Sequence, residues 1–108
     1  MNITNQSILI TGAGSGIGRA TAIALARKGA RLTLFGRRQK PLEETARLVQ
    51  EAGGEARVVT GDVTNVSAGE RAIQTATEQY GGLDVLINNA GNVRAGRLET
   101  TELEDIQA

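Results

Sequence analysis

The stretch TGAGSGIG, residues 11–18, directly succeeds the apolar run Ile8-Leu9-Ile10 and places glycine at four alternate positions, Gly12, Gly14, Gly16 and Gly18. On its N-terminal side, Ser7 to Thr11 reads as a short buried strand. On its C-terminal side, a helix is expected from about Ile17 to Arg27 and Lys28, with Gly29 as its stop. A glycine turn between a strand and a helix start suits an anion. The first helical N–H groups lack partners, the helix dipole adds about half a positive charge, and missing Cβ atoms leave room for phosphate oxygens. A turn that only needed positive φ angles would seldom take four glycines, because each carries an entropic cost.

Beyond this stretch, three further apolar runs read as strands, at 32–35, 57–60 and 83–88. Between them Leu42, Thr45, Ala46, Leu48 and Val49, and then Ala72, Ile73, Ala76 and Tyr80, recur at helical spacing. Pro41 suits a first helical position with Glu43 and Glu44 in the first turn, and Gly53-Gly54 suits the exit. Ser67-Ala68-Gly69-Glu70 has the form of a capping box for the third helix. Strands alternating with helices predict an α/β fold, a doubly wound Rossmann-type parallel sheet of order β-α-β-α-β-α-β, truncated after about four strands. No linker or repeat divides the chain, so residues 1–108 read as one nucleotide-binding unit.

Composition narrows the partner. The 108 residues carry 12 basic and 12 acidic side chains, with no basic tract longer than Arg37-Arg38, so neither a nucleic-acid surface nor a polybasic membrane patch is expected. There is no cysteine and no histidine, which removes disulfides, thiolate metal sites and the commonest metal ligand. No segment approaches the roughly 20 apolar residues of a membrane span, and no secretory leader opens the chain, so a cytoplasmic location is expected.

Spacing then discriminates among nucleotide sites. A P-loop requires Gly-Lys followed by Ser or Thr, but Gly18 is followed by Arg19-Ala20. The G-x-G-x-x-G fingerprint fails as well, since Ile17 stands at its third glycine. The residues fit T-G-x-x-x-G-x-G. With Asp62-Val63 after the third strand and Asn88-Asn89-Ala90-Gly91 after the fourth, the chain resembles the short-chain dehydrogenase/reductase family along essentially its whole length. The resemblance implies that Gly12, Ser15, Gly16, Ile17 and Gly18 surround a pyrophosphate. It implies that Asp62 and Val63 contact the adenine, that Asn89, Ala90 and Gly91 line the nicotinamide-side ribose, and that the chemistry is hydride transfer. The plainer alternatives are a strand-end turn at Asn88-Asn89 and a turn or cap at Asp62.

At the end of the second strand an acidic residue would bond a free ribose 2'-hydroxyl, whereas arginine accommodates a 2'-phosphate. Gly36 stands at the likely acidic position and Arg37-Arg38 come next, which favours NADP over NAD. The alternative is a solvated basic pair leading into a helix.

Members of this family exchange a proton with the substrate through a downstream serine and a Tyr-x-x-x-Lys pair. The serines here are Ser7, Ser15 and Ser67, the lysines are Lys28 and Lys40, and the single tyrosine, Tyr80, is followed four places on by Asp84. Tyr80 reads as the last core contact of the third helix. Thr101-Glu102-Leu103-Glu104 reads as a further capping box opening a short last helix. Two functions are therefore expected. The first is the nucleotide-binding half of an NADP-dependent oxidoreductase, inactive alone and acting on a small carbonyl or alcohol substrate once a catalytic half is supplied. The second is a non-catalytic nucleotide-binding or interaction module that self-associates through the apolar strand 83–88. Arg94 and Arg97 receive no role.

Overall fold

All five residues of Ser7–Thr11 are buried, as in a parallel strand covered on both faces. The computed structural model describes residues 2–89 and shows what covers them. The elements run β1 (Ser7–Thr11), α1 (Gly16–Ala26), β2 (Arg31–Gly36), α2 (Gln39–Glu51), β3 (Glu55–Thr60), α3 (Val66–Tyr80) and β4 (Val85–Asn88). The four strands form one parallel sheet in the order β3-β2-β1-β4, the doubly wound arrangement expected from the alternation of elements.

Strand alternation divides the core into two layers. On one face Ile8, Ile10, Leu32 and Leu34 pack with Ala22 and Ala26 of α1 and Leu42 and Val49 of α2. On the other, Leu9 and Phe35 pack with Ala68 and Ala72 of α3. The small residues on α1 and α3 let the helices lie close to the sheet. Tyr80 closes the lower end of α3, where its buried hydroxyl donates to the Leu32 carbonyl at 3.1 Å and the Arg31 guanidinium lies 5.2 Å from its ring centre.

Several boundaries differ from expectation, each for a physical reason. Helix α2 begins at Gln39, so Pro41 is its third residue rather than its first, and Glu43 and Glu44 lie beyond the first turn. Proline is tolerated there because the first four helical N–H groups have no intrahelical acceptor. Helix α3 begins one residue before Ser67. Its cap is Asn65, whose side chain accepts from the Ala68 N–H at 3.1 Å, so the Ser67 capping box does not form. Ile73 is 44% exposed and stands outside the buried face of Ala68, Ala72, Ala76 and Tyr80. Strand β4 starts at Val85 because Asp84 pairs with Ser7 in its own way: the Ser7 N–H donates to the Asp84 carboxylate and the Asp84 N–H to the Ser7 carbonyl.

The cap gives a direct test. Asn65→Ala is expected to lower stability by about 1 kcal/mol in urea denaturation, whereas Ser67→Ala should change it little. A larger loss at Ser67 would restore the capping box.

Candidate functional site

In an open parallel sheet, a crevice forms beyond the carboxyl ends of the strands where the strand order reverses. Here the chain moves outward from β1 to β2 and β3, and α3 then carries it back to β4 on the other side of β1. The crevice therefore opens above Thr11 and Asn88, which are paired in register.

Side chains lock that junction. The Thr11 hydroxyl donates to the Asn88 side-chain oxygen at 2.9 Å and accepts from the Asn89 N–H at 2.9 Å. The Asn89 side-chain amide donates to the Gly12 carbonyl at 3.3 Å. The two asparagines thus reach across the sheet to the end of β1 rather than only serving their own turn, and they hold the glycine stretch against β4.

The four glycines have different reasons to be there. Gly12 (φ +65°) and Gly16 (φ +56°) adopt backbone conformations that L side chains rarely take. A Cβ on Gly18 would stand 2.0 Å from the Gly12 carbonyl oxygen, so Gly18 sets the approach of α1 to the end of β1. A Cβ on Gly14 would meet the Pro41 side chain at 3.1 Å, so Gly14 admits the first turn of α2. At Gly16, by contrast, a Cβ would meet no atom of the described residues within 4 Å. Unlike Gly14 and Gly18, Gly16 leaves room that none of the described residues uses. Beside it Ser15 caps α1 without a side-chain capping bond, and Ile17 is 75% exposed, unusual for so apolar a residue.

From this turn a shallow cleft of about 200 Å³ runs to the end of β2, lined by Gly12, Gly14, Ser15, Gly36, Arg37 and Arg38 above Pro41 and Leu42. Arg37 and Arg38 are exposed, and Arg38 stands at the N-cap of α2 in extended conformation. Asp62 lies just past β3. Its carboxylate accepts the N–H and hydroxyl of Thr64 at 2.9 and 2.8 Å, which hold it below the usual aspartate range, with the charge of Arg37 lowering it further. The turn reading of Asp62 is thus realised, beside a guanidinium of the basic pair. Val63 is 45% exposed and lines a different hollow, on the α3 face of the sheet with Phe35, Ile73 and Leu86. Ala90, Gly91, Arg94, Arg97 and the 101–104 capping pattern lie outside the described residues.

Two features are not apparent from the sequence. Arg19 bridges the glycine turn and α2, yet nothing in GIGRA marks the arginine as other than a solvated helix residue. Thr11 is legible only as the first letter of T-G-x-x-x-G-x-G, and its partner seventy-seven residues away is not. Tyr80 is confirmed as a core contact. Burial pushes its phenol above the ordinary value, against the opposing charges of Arg57 and Arg31. Among the described residues no cluster of His, Cys, Asp or Glu could hold a metal ion, and no helix is long and apolar enough to cross a membrane.

This geometry has counterparts in known proteins. A family model described as short chain dehydrogenase matches residues 6–108. An uncharacterized oxidoreductase of Thermotoga maritima is 40% identical over 105 residues, covering 97% of this chain and 41% of that protein. The short-chain dehydrogenase/reductase homolog YusS of Bacillus subtilis is 39% identical over 95 residues, 87% of each chain. Among solved structures, an NAD+-bound xylitol dehydrogenase superposes with a TM-score of 0.80 at 36% identity, over 85% of this chain and 35% of its own. Apart from YusS, the chain spans only about two fifths of the length of such relatives.

Proposed function

Because this chain belongs to the short-chain dehydrogenase family, we propose that residues 1–108 are the nucleotide-binding part of an NADP-dependent oxidoreductase acting on a carbonyl or alcohol substrate. The observation that carries this reading is continuity. The turn glycines Gly12 and Gly14, the uncapped start of α1 at Ser15 and the Arg37-Arg38 pair border one crevice, and the open position at Gly16 directly follows Ser15, so a single ligand with two separated phosphate groups would meet both ends. Gly12, Ser15, Gly16, Ile17 and Gly18 would hold the pyrophosphate through backbone N–H groups, and Arg37 and Arg38 a 2'-phosphate. Asp62 would flank the adenine, with Val63 approaching it from the hollow on the α3 face, and Asn89, Ala90 and Gly91 would line the second ribose. The bound nicotinamide would supply or accept the hydride.

The xylitol dehydrogenase of the same fold holds NAD+, so the preference for NADP proposed here is supported by this chain's own Gly36, Arg37 and Arg38 alone. Proton exchange with the substrate falls to groups other than these. The Tyr80 phenol is buried against the Leu32 carbonyl, and Asp84 stands where a Tyr-x-x-x-Lys pair would need lysine. A second reading, a non-catalytic module that pairs through β4, is favoured by the position of β4 at the sheet edge among the described residues. It is favoured too by the 42% exposure of Leu86.

Calorimetric titration with NADPH and, separately, NADH tests the first reading. Micromolar binding with a preference for NADPH is the expected result. Preference for NADH would refute the role of the arginines, and no heat with either would refute nucleotide binding by this chain. A concentration-dependent dimer that gains no NADPH oxidation when a chain carrying the serine and Tyr-x-x-x-Lys pair is added would support the second reading, whether or not it binds a nucleotide.

A further inference from the structure

Arg19 is half-buried beneath the glycine turn. Its Nη2 donates to the Gly14 carbonyl at 2.8 Å and to the Pro41 carbonyl at 3.0 Å, while its Nε donates to the Thr45 hydroxyl at 2.8 Å. Thr45 is fully buried, and its hydroxyl in turn donates to the Pro41 carbonyl at 3.2 Å. One guanidinium thus ties three segments together: the turn after β1, the first turn of α2 and the second turn of α2. The contact it spans is tight, since a methyl group on Gly14 would already press on Pro41.

Arg19 is also, among the described residues, a cation without an ion pair. Among the described residues the only salt bridges are those of Arg47 with Glu44 and Glu51. The hydrogen-bond partners of Arg19 are all neutral, and Glu44, whose carboxyl it helps to lower, is already bonded to Arg47. Much of its charge therefore remains beside the wall of the cleft formed by Gly14 and Pro41.

We propose that Arg19 is a positioning residue for the nucleotide: it holds the glycine turn against the start of α2 at the spacing that lets one ligand reach Ser15 and Arg38 together. The inference rests on the nucleotide-binding reading. Arginine suits the role because its planar fork serves several acceptors at once, whereas lysine offers a point charge on a flexible stem. Loss of the fork frees the turn to drift from α2, and the ligand must then restore the spacing on binding.

The test is calorimetric titration of the chain and its Arg19→Met, Arg19→Lys and Thr45→Val variants with NADPH and with NADH. It is run well below each variant's melting transition, which is measured in parallel. Arg19→Met is expected to weaken both nucleotides about tenfold, the scale of losing hydrogen bonds from a charged donor. Arg19→Lys should recover only part of this, and Thr45→Val, which removes one acceptor and keeps the shape, should lose roughly threefold. Should Arg19→Met fail to fold, the other two variants decide.

Unchanged affinities with lowered melting temperatures would make Arg19 merely structural and overturn the proposal. Full recovery with lysine would do the same, by showing that charge acts without the fastening. A parent chain that prefers NADH, with affinity still lost in Arg19→Met, would refute the NADP assignment while supporting Arg19. Binding of neither nucleotide by the parent chain would overturn both.

Discussion

Replacing Gly18 with alanine is expected to cost the chain about 3 kcal/mol or more of stability, the range of overpacking at a site that cannot yield. The added Cβ would stand 2.0 Å from the Gly12 carbonyl oxygen, 2.8 Å from the Gly12 carbonyl carbon and 2.8 Å from the Asn89 side-chain nitrogen. Two of these atoms are backbone. The Gly12 carbonyl cannot easily swing away, because Gly12 sits at φ +65° and its oxygen accepts the Asn89 amide. Relief requires α1 to lift from the sheet, which would uncover the close contact of Ala22 and Ala26 with the strands. Gly16→Ala is the control. Its methyl group meets no atom of the described residues, so only the strain of φ +56° applies, about 1 kcal/mol. The same methyl group would project where the pyrophosphate is proposed to sit, so Gly16→Ala should lose nucleotide affinity while remaining folded. Urea denaturation followed by circular dichroism separates the two variants. A Gly18→Ala chain no less stable than Gly16→Ala would contradict the close packing of α1 on the end of β1.

That contrast shows what kind of information the sequence carries. Strand β1 is legible to the residue because it is buried on both faces, so its apolar run has sharp ends. Strand β3 extends two residues before its apolar run, since Glu55 is exposed and joins the ladder through backbone alone, opposite Arg31. Burial patterns do not report such pairings. The cap of α3 is ambiguous in the sequence because Asn65 and Ser67 are both good caps by residue type, and only the backbone decides between them. At the site, the four glycines announce a close approach but not by what. Gly18 is approached by the chain's own carbonyl and Gly14 by Pro41, whereas Gly16 faces space that none of the described residues uses. Arg19 gives no signal for the same reason: Pro41 and Thr45 are 22 and 26 residues away, and no local spacing rule links them to it.

Selectivity should respond as strongly as stability. Replacing Arg37 and Arg38 together with alanine is expected to weaken NADPH on the order of thirtyfold while leaving NADH nearly unchanged. That is near the lower end for charge-assisted hydrogen bonds, because both side chains are exposed and screened by solvent. The fold should not suffer. Arg38 occupies the N-cap of α2, but its side chain makes no capping bond, so alanine there removes no bond from the helix start. Arg37 is close enough to Asp62 to lower its carboxyl, which means that part of its charge is already answered by a neighbour. Arg38 should therefore account for more of the selectivity than Arg37 when each is replaced alone. Raising the salt concentration should shrink the preference for NADPH in the parent chain and have little effect in the double variant, since salt weakens ion pairs between solvent-exposed groups. Equal losses for both nucleotides would mean that the arginines support the adenine or the loop rather than a 2'-phosphate. The absence of an acid at Gly36 would then carry no information about the cofactor.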